Sequence, residues 1–146
     1  MTEDDLLRLD RQVCFPLYAA SNLITRLYRP LLEALGLTYP QYLVMMVLWE
    51  RSPSTVGEVG RQLHLDSGTL TPLLKRMEAA GLIARHRDPS DERRVQVTLT
   101  GQGEALQAQA RSVPMALAAR LSMPAQDLEA LRTAVTGLVD AMAADA

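Results

Sequence analysis

Cysteine is nearly missing from this chain. Cys14 stands alone among 146 residues, so no intrachain disulfide and no cysteine-based metal cluster can form. Histidine is almost as scarce, and His64 and His86 lie too far apart in sequence to suggest a His-rich metal site. No apolar run approaches the ~18 residues that a membrane-spanning helix requires. The first ten residues are acidic, where an export signal is basic and then apolar. A cytoplasmic location with no membrane partner is therefore expected. Internal repeats and low-complexity linkers are absent too, and 48% hydrophobic with 22% charged residues is an ordinary globular mixture. At about 100–200 residues per domain, the length fits one domain.

An excess of positive charge is also lacking. Fifteen Lys and Arg against seventeen Asp and Glu leave a net charge of −2, whereas a nucleic-acid binder is usually strongly basic. The average hides a gradient. Residues 1–50 carry four basic and six acidic groups, residues 51–100 eight and six, and residues 101–146 three and five. Only the middle third is basic, and attraction for phosphate follows the local field rather than the whole-chain sum.

The punctuation of the chain divides it into segments of helical length. A first helix is expected over 10–35, with apolar residues Val13, Leu17, Ala20, Ile24, Leu27, Leu31 and Leu35 at three- and four-residue spacing. Gly36 stops it, and Pro16 and Pro30 should bend or break it, since each removes an amide donor. Thr38-Tyr39-Pro40-Gln41 is a capping-box pattern opening a second, very apolar and buried helix through Tyr42–Trp49. Thr55-Val56-Gly57-Glu58 opens a short third helix ending near Leu63. A fourth begins after Leu65 with Asp66 or Ser67 as cap and stops at Gly81; Leu70, Leu73, Leu74 and Met77 make its apolar face. The period then changes. Residues 82–87 read as a strand, 88–93 as a polar turn and 94–99, which alternate strictly, as a second strand. This hairpin is the one convincing sheet. Thr100 caps a fifth helix over about 101–121, interrupted near Pro114, and the last follows Ser122 and Pro124, with Leu128, Leu131, Val135, Leu138, Val139 and Met142 on one face.

Helix, helix, reading helix and hairpin with a basic tip is the order of a winged helix-turn-helix, so the fold class is mainly α with a small β-hairpin. Ser67, Thr69 and Thr71, in the front half of the fourth helix, can enter a major groove and hydrogen-bond base edges and phosphates. Lys75 and Arg76 lie further along and can neutralise phosphates. Arg87, Arg93 and Arg94 of the hairpin can reach the backbone and the adjacent minor groove. Any charge cluster is on its own as readily an ordinary solvated face; the combination with helix order and hairpin favours DNA.

Residues 55–60 (Thr-Val-Gly-Glu-Val-Gly), the run from Asp66 to Glu78, Gly81-Leu82-Ile83, Asp91-Glu92-Arg93 and Leu99-Thr100-x-x-Gly103 resemble the MarR family of dimeric bacterial transcription factors over nearly the whole chain. The resemblance implies a single domain over 1–146, with a winged helix-turn-helix over 38–100 and dimerisation helices over 10–36 and 101–146, and with Asp66 and Asp91 as capping and positioning residues. Upstream, residues 9–19, Tyr28-Arg29-Pro30-Leu31-Leu32 and residues 37–43 resemble the organic-hydroperoxide-sensing, OhrR-type branch. It implies that Cys14 is the peroxide-reactive thiol and that Tyr28 and Tyr39 hydrogen-bond it across the dimer interface. Two-Cys members have a second, resolving Cys in the C-terminal half; this chain has none, which points to the one-Cys subtype. Its sulfenic acid is then captured by a low-molecular-weight thiol, closes to a sulfenamide or oxidises further.

Peroxide is attacked by thiolate, and an ordinary Cys has a pKa of about 8.5. The start of the first helix, Arg11 and phenolic donors would all favour the anion. A buried, inert thiol is the commoner state of a lone Cys, and the resemblance reverses that expectation. Tyr42 is expected to pack in the core or at an interface, His64 and His86 to be surface or packing residues, and Met45-Met46 to be core. The outer helices have more apolar surface than a compact three-helix core can cover, so a homodimer is expected. Its two reading helices would sit about one DNA turn apart on an inverted-repeat operator. The expected function is a repressor that releases DNA when an organic hydroperoxide oxidises Cys14, with no cofactor. The alternatives are a regulator sensing a small phenolic or aromatic acid, with Cys14 incidental, and an enzyme, a one-Cys thiol peroxidase, against which stands the missing α/β scaffold.

Overall fold

The computed structural model describes residues 2–144. Met1, Asp145 and Ala146, which the expected single domain and its last dimerisation segment include, lie outside the described residues. The chain forms two compact units, Met1–Arg111 and Ser112–Ala146.

In the first unit a short helix α1 (Glu3–Leu6) and a 3-10 turn (Leu9–Arg11) precede α2 (Cys14–Glu33). The expected helix over 10–35 is therefore shorter at both ends. Pro16 does not break it, because it sits at the third helical position, where no intrahelical amide bond is owed. Pro30 lies inside the helix, which continues to Glu33. Gly36, at φ +69°, takes the left-handed conformation that lets the chain turn out of the helix.

The next three helices begin where local chemistry dictates. Thr38 and Gln41 close a capping box on α3 (Tyr39–Glu50), and Thr55 and Glu58 close another on α4 (Val56–Leu63). Asp66, not Ser67, caps α5 (Ser67–Ala79) by accepting the Thr69 amide at 2.8 Å. Between α4 and α5, His64 adopts the left-handed conformation and stays exposed.

The sheet has three strands, one more than the hairpin. In β1 (Ser54–Thr55), Ser54 pairs with Val97 and Thr55 with Gln96 of β3 (Asp91–Leu99). β3 is central, and β2 (Ile83–Asp88) lies on its other side, with Ile83 opposite Leu99 and Arg87 opposite Val95. The expected polar turn over 88–93 shrinks to Pro89-Ser90, because ladder pairing continues through residues whose side chains are solvated.

Fully buried Leu32, Met45, Leu48, Val59, Leu70, Leu74, Met77, Ile83 and Val97 bring α2, α3, α4, α5 and the sheet onto one core. α6 (Gly101–Ala110), capped by Thr100, completes this unit.

The second unit holds α7 (Val113–Leu121) and α8 (Ala125–Ala143). The interruption falls at Arg111–Ser112, two residues before Pro114, since proline is accommodated in a first turn. Within α8 no described residue is buried, and Leu131, Leu138 and Met142 are exposed.

Candidate functional site

Two groups of side chains stand out in the first unit. The first surrounds an open groove of about 760 Å³ between α4, α5 and the β2–β3 wing. Ser67, Thr71, Thr55 and Gly57 line it, with Arg61, Arg85, Arg93 and Arg94 around them. Ser67, Thr71 and Lys75 follow at four-residue spacing, in a row that borders the buried face of Leu70, Leu73, Leu74 and Met77. Thr69 and Arg76 lie on another flank, lining a second hollow with Thr38, Pro40 and Leu73. Lys75 and Arg76 are both exposed.

The wing is stiffened by short-range hydrogen bonds. Asp88 Oδ1 accepts the amide and hydroxyl of Ser90 at 2.9 and 2.6 Å, and its Oδ2 accepts Gln96 Nε2. These donors, the Ser90 hydroxyl first, hold the Asp88 carboxyl below the usual range. Asp91 accepts both the amide and the Nε of Arg93, aiming a guanidinium that is 91% exposed. Arg87 donates across the hairpin to the Glu92 carbonyl at 2.7 Å. Arg94 reaches back to Glu58 at the start of α4.

Arg61 and Arg85 were not singled out from sequence. Arg61 sits one turn after Gly57 on α4, so four-residue spacing to the cap region could have placed it on the groove. Arg85 is tied to Glu78 of α5 by a 3.1 Å ion pair, while its amide, on the outer edge of β2, also donates to Glu78 at 2.9 Å. Those donors depress the Glu78 carboxyl, the Arg85 amide most.

The second group lies on α2 and α3. Cys14 is exposed at the first position of α2, beside exposed Val13, Phe15 and Tyr18. Helix amides at that end are unpaired and favour a nearby anion. Tyr28 and Tyr39 stack with ring centroids 4.6 Å apart, and Tyr42 lies 5.8 Å from Tyr28. Burial, reinforced by the neighbouring phenols of Tyr39 and Tyr42, pushes Tyr28 up to about 12. Burial raises Tyr39 as well, and raises Tyr42 with help from Tyr39. At neutral pH all three are therefore protonated donors. Tyr42, 2% exposed, is in the core, and so is Met45 as expected; Met46, also expected in the core, is instead exposed. Fourteen residues of α2 separate Cys14 from Tyr28, roughly 21 Å at 1.5 Å per residue. Within one chain the thiol and the Tyr28 phenol cannot meet.

Helices α3, α4 and α5 followed by a β-hairpin, with β1 closing the sheet, make a winged helix, the architecture of a class of DNA-binding regulators. Residues 26–109, more than half of the chain, match the family described as transcriptional regulator SarA/Rot. The chain is 45% identical over 138 residues, 94% of either sequence, to the organic hydroperoxide resistance transcriptional regulator of Bacillus subtilis. It resembles reduced AbfR bound to DNA, a protein of Staphylococcus epidermidis, with a TM-score of 0.76 and 35% identity over 97% of this chain and 99% of that one. The apo form of MarR from E. coli gives 0.70 at 25% identity, over 87% and 96%. The chain belongs to the SarA/Rot transcriptional regulators, MarR-type winged-helix proteins, and is a homologue of the organic hydroperoxide resistance regulator. Among the described residues no helix is long and apolar enough to cross a membrane.

Proposed function

We propose that this protein is a homodimeric repressor that holds an inverted-repeat operator while Cys14 is reduced and releases it when an organic hydroperoxide oxidises that thiol. The observation that carries the reading is the division of the sensing chemistry within one chain. An exposed sulfur sits at the amino end of α2, and a pair of proton-holding phenols sits roughly 21 Å further along. A two-fold partner brings one chain's thiol to the other's tyrosines. Exposed Leu6, Leu7, Leu9, Val13 and Phe15 in the first unit, and Leu131, Leu138 and Met142 in the second, supply apolar surface for such a partner.

The thiolate attacks one peroxide oxygen, the O–O bond breaks, and the alkoxide leaves with a proton from a phenol or water. The products are a sulfenic acid on Cys14 and an alcohol; sulfur is oxidised by two electrons and the peroxide reduced. With no second cysteine in the sequence, a low-molecular-weight thiol is the natural capping partner. On DNA, Ser67, Thr69 and Thr71 read the major groove, Lys75 and Arg76 contact phosphates, and Arg87, Arg93 and Arg94 follow the backbone into the minor groove. Asp66 and Asp91 position these elements. The remnant of charge is local, and the protein acts by binding, not turnover.

The test is a gel-shift titration of wild type and Cys14→Ser with cumene hydroperoxide. Wild type should release operator and the serine variant should hold it. Release by the serine variant would end the redox reading.

A further inference from the structure

From the stacked Tyr28–Tyr39 pair a line of rings continues inward: Tyr42 lies 6.5 Å from Tyr39, and Trp49 meets Tyr42 edge-on at 6.5 Å. Trp49 is the one tryptophan in the chain and sits in the last turn of α3. Its indole N–H donates at 2.9 Å to the carbonyl of Gly103, fifty-four residues away in α6. Gly103 is no ordinary helical residue. A Cβ there would lie 2.2 Å from the Leu82 carbonyl oxygen, so this α-carbon is pressed against the backbone that leads into β2. Two further bonds fasten that junction: the Thr100 amide donates to the Leu82 carbonyl at 3.1 Å, and the Thr100 hydroxyl to the Gly81 carbonyl at 2.6 Å. Gly81-Leu82 is the connection between α5 and the wing strand β2.

We propose that Trp49 is a positioning residue that transmits the state of the tyrosine cluster to the wing. Its ring packs on Tyr42 at one end, and its N–H holds the α6 start that clamps Leu82 at the other. The inference rests on the regulatory reading above and adds the route by which the cluster acts. A displaced ring at Tyr28 or Tyr39 shifts Tyr42, which tilts the indole and moves Gly103 against Leu82. Packed aromatic and backbone contacts transmit such a shift because the interior is dense and does not absorb it.

The decisive measurement uses the reduced full-length chain, without peroxide. Tyr28→Leu disturbs the far end of the ring line, and ¹⁵N–¹H spectra follow the Leu82 and Ile83 amides. They should move in the wild-type background, and the movement should fall by at least half with Trp49→Phe, which keeps a ring and deletes the donor. Undiminished shifts in the Trp49→Phe background overturn the proposal. Should that variant fail to fold, 5-fluorotryptophan at position 49 replaces it. Its ¹⁹F resonance should move on Tyr28→Leu, and a resonance indifferent to that change overturns the proposal equally. A second arm compares operator affinity before and after oxidation. Trp49→Phe should oxidise Cys14 at the wild-type rate while losing about fivefold or more of the affinity difference. If wild-type affinity ignores peroxide, the redox reading falls, and the spectra of the reduced protein still judge Trp49.

Discussion

The guanidinium of Arg94 lies 3.7 Å from Glu58, whose other carboxylate oxygen accepts the Thr55 amide and closes the cap of α4. One acidic side chain thus both starts a helix and holds a wing arginine at the groove. Glu58→Gln keeps the cap and removes the charge. Both side chains are about half exposed, so stability should change by less than about 1 kcal/mol. Operator binding should tighten about 3–10-fold at low salt and converge with wild type as salt rises. Fluorescence-anisotropy titrations at several salt concentrations measure this; unchanged affinity at low salt would show that Glu58 does not restrain Arg94.

Arg93 is held by Asp91 at the rim of the groove, with its side chain 91% exposed. Arg93→Ala should weaken operator binding and reduce the slope of log affinity against log salt by about one unit. An identical slope would take Arg93 off the list of phosphate or groove contacts.

Gly103→Ala places a methyl 2.2 Å from a backbone oxygen that Thr100 has already engaged. Neither partner is the loose end of a side chain, so the backbone itself must shift. A loss of about 2–3 kcal/mol in urea unfolding is expected, with Gly101→Ala, whose Cβ meets nothing within 4 Å, as the silent control.

The tyrosine cluster makes a prediction about alkaline pH. The raised Tyr28 pKa means that the folded chain holds the phenolic proton more tightly than the unfolded one. Its stabilising contribution is complete below about pH 10 and drains away as pH climbs from there toward about 12. Tyrosinate absorbance near 295 nm should therefore rise late for the cluster, and Tyr28→Phe should flatten the alkaline fall in stability. Normal ionisation of all tyrosines in the folded protein would contradict the cluster's burial.

The starts of α3, α4 and α5 were legible because a cap is a local device: Thr38 with Gln41, Thr55 with Glu58 and Asp66 with Thr69 lie three residues apart and need no tertiary partner. β1 was not legible. Two residues carry no period, and Ser54 becomes a strand only by meeting Val97, forty-three residues away. The wing turn was read too long because Asp91, Glu92 and Arg93 are polar, yet pairing in a ladder asks nothing of side chains that face water. Within the groove, the Asp-x-Arg and α5 residues were visible as motifs and Arg61 was within reach through its helical spacing from Gly57, whereas Arg85 belongs to it through the packing of β2 alone. Trp49 escaped notice for the same reason, since its partner Gly103 is distant in sequence.

On the proposed reading, the length of α2 between Cys14 and Tyr28 makes vigilance a collective property. A solitary chain would then own both halves of the detector without closing the circuit between them, so thinning the protein out should blind it while every helix is still intact.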